Sequence, residues 1–302
     1  MTTAILAAGK EARQERGARQ GQARLVTALL LAPSTLWFLL LLVMPVIVVL
    51  IFSFGELGVA GGYQLGLTLE NYARIPTRLK AFTNTLSLAP LGTVLCVLIA
   101  YPLAYYLAVK AGPRSKTLLL TLVIVPLWTS FLIRTYAWIF ILGGKGVPAL
   151  VEWAGLPEIR LINTQFAVLI GIVYGYLPLM VFPIYVSLEK LDKRLLEASA
   201  DLGATPAGTF RQVTLPLSMP GLITGSLLVF ILLMGEYLIP ALLGGGKVFL
   251  VGNALVDLFL QSRNWPLGSA VAIALVVIML VAIALYLMAV GRERGRRDVS
   301  LI

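Results

Sequence analysis

Glu189-Lys190-Leu191-Asp192-Lys193-Arg194-Leu195-Leu196-Glu197-Ala198-Ser199-Ala200-Asp201-Leu202-Gly203-Ala204-Thr205-Pro206 is a charged stretch set between two long apolar runs, and it continues to Leu215-Pro216-Leu217-Ser218-Met219-Pro220. From Leu191 to Leu202 the apolar residues Leu191, Leu195, Ala198 and Leu202 recur at spacings of four, three and four, which is one face of a helix. The opposite face is charged. Glu189 with Lys193 makes an i,i+4 pair and Arg194 with Glu197 an i,i+3 pair, each contributing only about 0.2–0.5 kcal/mol. Gly203 stands where a helix closes on a left-handed residue, and Thr205-Pro206 offers an N-cap followed by the residue best tolerated at the first helical position. The stretch therefore predicts a short helix, a tight turn and a second short helix leading into the next apolar run.

Those flanking runs set the fold class. Hydrophobic residues make up 59% of the 302 positions and charged residues only 13%, a balance suited to a bilayer as solvent. Six runs, near 30–54, 82–109, 117–141, 165–188, 219–243 and 267–290, reach the roughly 20 residues a helix needs to cross a hydrocarbon core. The chain reads as an all-α integral membrane protein with about six transmembrane helices. Residues 1–29 form a basic tail, 30–290 the transmembrane domain with its connector at 189–220, and 291–302 a second tail. Although Lys10, Arg13, Arg16, Arg19 and Arg24 precede the first run, Leu25 to Phe54 far exceeds a signal-peptide core of about 7–15 residues. An uncleaved first span is expected.

The formal net charge of +10 does not indicate nucleic acid, because the charges follow the spans. With the N-terminus inside, the inner segments hold 16 Lys and Arg, including Lys110, Arg114, Lys116 and the cluster Arg292, Arg294, Arg296 and Arg297. The outer segments hold seven: Arg74, Arg78, Lys80, Lys145, Arg160, Lys247 and Arg263. This asymmetry places both termini in the cytoplasm.

The segment from Gly55 to Lys80 reads as an outer loop with a short helix, and 142–164 and 244–266 as further outer loops. Gly143-Gly144, Gly244-Gly245-Gly246 and Arg263-Asn264-Trp265-Pro266 end helices there. Gly171 with Gly175 and Gly221 with Gly225 form small-xxx-small pairs that allow close helix packing. Pro102, Pro126, Pro178 and Pro183 each remove a helix hydrogen bond and are expected to bend their spans. The single Cys96 permits no intrachain disulfide. With no histidine, no metal-ligating cluster and no nucleophile beside a base, no covalent chemistry is expected.

Glu197-Ala198-Ser199, then Gly203, then Leu215-Pro216 resembles the "EAA" signature of permease subunits of binding-protein-dependent ABC importers, with Ser199 in place of the second alanine. Leu132-Ile133-Arg134-Thr135-Tyr136-Ala137-Trp138, Gly235-Glu236-Tyr237-Leu238-Ile239-Pro240 and Trp265-Pro266-Leu267-Gly268 are similar to the spermidine/putrescine-type branch. The resemblance implies a non-catalytic transport subunit of the inner membrane. Its partners would be a second permease, two cytoplasmic ATPase subunits that bind ATP and Mg, an extracytoplasmic solute-binding protein and membrane lipid, with no nucleic acid. It implies that Glu197, Ala198, Ser199, Asp201 and Gly203 belong to a coupling helix seated on the ATPase. The cargo would be a polyamine or related amine, or in another branch an opine, a phosphonate or ferric ion. No Gly-x-x-x-x-Gly-Lys-Ser/Thr occurs, since Ala241 stands where the first glycine before Gly246-Lys247 belongs and Val248 follows the lysine.

Two charges fall within the apolar runs, where burying a charge costs from about 2.5 kcal/mol upward. Arg134 lies 17 residues beyond Thr117 and Glu236 lies 17 beyond Met219, so straight helices would put each about 25 Å above the inner end. Two readings fit. The charges form an ion pair between spans three and five, or Glu236, with Tyr136, Trp138 or Tyr237, lines the path of an organic cation by charge attraction and cation–π contact. An ion-coupled secondary transporter would also use intramembrane charges, but it leaves the structured connector unexplained.

Overall fold

The computed structural model describes residues 27–299, with side chains through Val290. Most of the basic tail expected over 1–29 lies outside the described residues. Among the described residues five helices are long and apolar enough to cross a membrane, and a sixth span results if one bent helix pair counts as one. They are α1 (Thr27–Ser53), α2 (Glu70–Lys110), α6 (Gln165–Glu189), α8 (Pro206–Met234) and the start of α11 (Trp265–Val299). The bent pair begins with α3 (Pro113–Trp128) and continues through α4 (Phe131–Leu142) and α5 (Val147–Trp153). The shorter helices are α7 (Lys193–Asp201), α9 (Leu238–Leu243) and α10 (Val251–Gln261).

The core is the packing of α2, α6 and α8. Cys96, Ala100 and Ala104 of α2, Val168, Met180 and Val181 of α6, and Val229 of α8 are fully buried. Small side chains set the spacing. A Cβ on Gly221 would lie 2.2 Å from the Pro183 carbonyl oxygen, and one on Gly225 would lie 2.9 Å from the Met180 sulfur, so both glycines bring α8 against α6. One polar tie crosses this core, where the Tyr101 hydroxyl and the Ser218 hydroxyl lie 2.7 Å apart. By contrast α1 buries nothing over its most apolar window and packs against α11, so its surface is left for lipid or another chain.

The segment between α1 and α2 is more ordered than a loop. Glu56–Leu57 and Tyr63–Gln64 pair as antiparallel strands β1 and β2, and Glu70–Arg74 is already helical as the start of α2. Buried Asn71 fastens it by donating to the carbonyls of Ser53 and Gly55 at 3.0 and 2.8 Å. The rings of Tyr63 and Phe52 stack at 4.3 Å. The regions expected as loops at 142–164 and 244–266 likewise contain α5 and α10.

The larger correction concerns two of the expected spans. Run 117–141 is broken, because α3 ends at Trp128, Thr129 and Ser130 are extended, and the chain turns by 98° before continuing from Phe131. Run 219–243 is broken after Met234, where Gly235, Glu236 and Tyr237 leave the helix before α9. The expected proline bends divide accordingly. Pro126 stands just before the 98° turn, whereas α2 and α6 continue as helix through Pro102, Pro178 and Pro183.

Candidate functional site

Two regions gather the residues expected to function. The first is the connector between α6 and α8. Its helix runs over Lys193–Asp201, with the Asp192 side chain accepting from the Arg194 amide at 3.0 Å as N-cap. It closes as the glycine spacing predicts. Gly203 has φ +80°, a conformation in which a side chain is strained, and the Ala204 amide donates back to the Ser199 carbonyl at 3.1 Å. Thr205 then caps α8 by accepting from the Gly208 amide at 3.2 Å, with Pro206 in the first turn.

The serine that replaces alanine at position 199 has a local role. Its hydroxyl lies 2.9 Å from that of Thr209, which ties α7 to the first turns of α8. Leu196 and Ser199 are half-buried and form the face turned toward the rest of the chain, whereas Leu195, Ala198 and Leu202 are exposed, Leu202 at 89%. The stripe read from the sequence is thus only partly a helix face, since Leu191 precedes the helix and is half-buried and Leu202 is its C-cap, and its exposed members are not on the face this chain covers. Glu197 and Asp201 are exposed beside them.

Neither expected ion pair on α7 forms among the described residues. Glu189 is the last residue of α6, and the chain leaves helical geometry before Lys193, so the two are not on one helix. The Glu189 carboxylate instead meets Lys116 of α3 at 2.5 Å.

The second region is where the two broken spans meet. α4 and α9 pack on each other and on α6, and the glycines of α6 make room for both. A Cβ on Gly171 would lie 2.6 Å from Leu243 and 2.8 Å from Ile239, and one on Gly175 would lie 3.1 Å from the Phe131 ring. Irregular backbone at such breaks is where transporter folds commonly place binding groups.

Glu236 sits in the second break, 6% exposed. One carboxylate oxygen accepts from the amides of Leu238 and Ile239 at 2.7 and 3.0 Å, and the other accepts a short hydrogen bond from the Tyr176 hydroxyl. The carboxylate thus caps α9 and ties it to α6. Asn253 holds the other side of the break, donating to the Tyr237 carbonyl at 2.7 Å, and Gly252 lies close against the Glu236 carbonyl.

Arg134 does not pair with Glu236. Straight helices would have placed them at one depth, but the 98° turn lies between Thr117 and Arg134 and removes the basis for that estimate. The guanidinium lies over the rings of Phe131 and Tyr174, at 5.4 and 6.0 Å, and its Nε and Nη1 are buried without a hydrogen-bond partner. Phe131 also packs against Tyr176, at 6.2 Å, so a line of contacts runs from Arg134 through Phe131 and Tyr176 to Glu236. Trp138 packs edge-on against Tyr174 at 5.5 Å. Tyr136 and Tyr237 are each 49% and 47% exposed and join none of these ring contacts. The sequence reading missed Tyr176, Phe131, Asn253 and Lys116. Tyr176 carried a signal, as a polar group within an apolar run.

Residues 100–294 match the family model of the binding-protein-dependent transport system inner membrane component. The spermidine/putrescine transport system permease protein PotB of Haemophilus influenzae is 44% identical over 255 residues, covering 83% of this chain and 89% of that protein. PotB of Escherichia coli is 40% identical over 255 residues, covering 83% and 92%. In fold, the chain is similar to a chain of a bacterial ABC transporter that imports the acidic polysaccharide alginate, with TM-score 0.70 at 18% identity, covering 90% of this chain and 96% of the other. The chain belongs to the family of inner membrane components of binding-protein-dependent transport systems.

Proposed function

We propose that this chain is a permease subunit of an ATP-driven importer of spermidine, putrescine or a closely related amine. The cargo class rests on the 44% and 40% identity to the two PotB proteins. Coupling to ATP hydrolysis rests on one observation, the capped helix α7 with Leu195, Ala198 and Leu202 exposed beside Glu197. An apolar stripe that its own chain leaves bare on a rigid polar connector suits a groove of another protein better than water. The groove belongs to a cytoplasmic ATPase, which binds ATP and Mg, and its movement is passed to the bundle through the two chain connections of α7.

In this reading the N- and C-termini are cytoplasmic, following the excess of Lys and Arg in alternate segments. A second permease completes the path, two ATPase subunits act from inside, and a solute-binding protein delivers cargo from outside. The cluster at the two breaks lies along the path. Exposed Tyr237 and Tyr136 offer rings to an alkylammonium, while Glu236 acts by holding the break in shape, its oxygens already bonded within the chain.

The test is uptake of labelled putrescine and spermidine by cells lacking this chain and complemented with wild type, Glu197→Arg or Glu236→Gln. Restoration by wild type and not by Glu197→Arg supports the reading, provided the variant reaches the membrane. Amine uptake that is the same with and without the wild-type chain overturns the cargo assignment.

A further inference from the structure

The ion pair between Lys116 and Glu189 lies where three segments converge, at the end of α6, the first turn of α3 and the start of the connector. Lys116 also lies 5.5 Å from the centre of the Tyr185 ring, one helical turn before Glu189 on the same face of α6. It thus reaches two successive turns of one helix.

Apolar packing is partial at this junction. None of the side chains of α3 is fully buried, although Leu119, Leu120 and Val123 pack half-buried against the core. Next to the ion pair is a cavity of about 280 Å³, lined by Ala108, Ala111, Lys116, Leu188, Glu189 and Lys193, so it is bordered by α2, α3, α6 and α7. Close-packed segments move together because their side chains interlock. Where the cavity opens they do not interlock, and there the ion pair is a contact that joins α3 to the end of α6.

We propose that Lys116 is a positioning residue for transport, and that its ion pair with Glu189 is the strut through which movement of α7 reaches α3. The proposal rests on the coupling reading of α7 given above. Three residues, Lys190 to Asp192, separate Glu189 from the start of α7, so a push on α7 arrives at Glu189 first. From Lys116 it passes up α3 to the 98° turn, beyond which α4 carries Phe131 and Arg134 into the cluster around Glu236. The connection on the other side of α7 leads through α8 to the break at Gly235. Both broken spans are thereby driven from one helix. The cavity is the clearance that the movement uses.

An ion pair with side chains 25% and 42% exposed contributes little to folding, so its loss leaves the protein assembled. The experiment uses the complete transporter in proteoliposomes and reads ATP hydrolysed per spermidine imported. Lys116→Glu and Glu189→Lys are each expected to raise that ratio at least about threefold, and the double exchange to return it close to wild type, the signature of a direct pair. Lys116→Met, which keeps the stem but not the charge, is expected to raise the ratio as well, and Lys116→Arg to leave it near wild type. A double exchange no better than either single variant overturns the strut, as does an unchanged ratio in all of them. Glu197→Arg in the same vesicles separates the two levels of the argument. If it leaves the ratio and the rate unchanged, the coupling reading itself fails. If it uncouples while the Lys116 variants do not, only the strut fails.

Discussion

Glu197 stands exposed on a nine-residue helix whose two ends are capped by its own chain, whereas Glu236 is 6% exposed and has both carboxylate oxygens bonded within the fold. Both are acidic residues in short polar interruptions of an apolar chain. Their surroundings give them opposite work. Around Glu197 the protein has satisfied the backbone and left the side chains free, which suits a surface that a partner covers. Around Glu236 it has used the side chain to satisfy backbone amides that would otherwise be left open in a buried break. A carboxylate in a transporter is therefore not a cargo ligand by default, and its hydrogen-bond partners decide the matter.

The contrast can be broken at either end. Glu197→Arg is expected to lower ATP-driven amine uptake about tenfold or more, because a reversed charge at a docked surface costs several kcal/mol, with normal abundance in the membrane. Uptake within a factor of two of wild type would mean that the exposed stripe is not docked in this way. The next largest effect belongs to the packing that brings the two regions into one molecule. Gly221→Leu would drive a side chain into the Pro183 carbonyl and Ser187, and overpacking of this kind costs about 1–3 kcal/mol or more. It should lower the thermal midpoint of the detergent-purified protein, and an unchanged midpoint would show that α6 and α8 separate easily.

Glu236→Ala should cost about 1–3 kcal/mol, since it leaves the Tyr176 hydroxyl and the Leu238 and Ile239 amides without their acceptor. Glu236→Gln retains an acceptor oxygen and should lose clearly less. If the two variants are equally stable and both abolish uptake, Glu236 acts on cargo through its charge and not as a cap. Gly203→Ala should cost about 1 kcal/mol through the φ of +80°, measured in the same melting experiment. Arg134→Met is expected to change stability least, or to raise it, because the lost contacts with the Phe131 and Tyr174 rings are offset by removing a charge whose buried Nε and Nη1 have no hydrogen-bond partner. A clear loss of stability would mean that another chain of the assembly supplies an acceptor.

Much of the first region was legible in the sequence, because its signals are local. Thr205 before a helix, Pro206 inside it and Gly203 after another act within a few residues. What the pattern could not say was which helix face the chain covers, and Leu195, Ala198 and Leu202 were left outside. Nor could it show that Lys116, 73 residues away, competes for Glu189. In the second region the apolar runs were legible but their helices were not continuous, 117–141 breaking after Trp128 and 219–243 after Met234. Hydropathy measures apolar length and is blind to where extended residues such as Thr129 and Ser130 redirect the axis. Of the two readings left open for Arg134 and Glu236, the mutual ion pair drew on that straight-helix depth, and the described residues do not form it. The contacts that replace it, with Phe131, Tyr174 and Tyr176, depend on tertiary packing that no spacing rule encodes.

The most direct test of the docked connector uses the scarcity of thiols. Cys96 is the chain's one cysteine and is fully buried, so Ala198→Cys places a single accessible thiol on the exposed face of α7. The assembled transporter is treated with a short thiol-reactive photo-crosslinker attached at that position, and the products are identified by mass spectrometry. The account predicts one dominant adduct, between this permease and the ATPase subunit, lost when ATPase is omitted. Labelling of the same thiol without any adduct to the ATPase, in a complex that still imports amines on ATP, would contradict it.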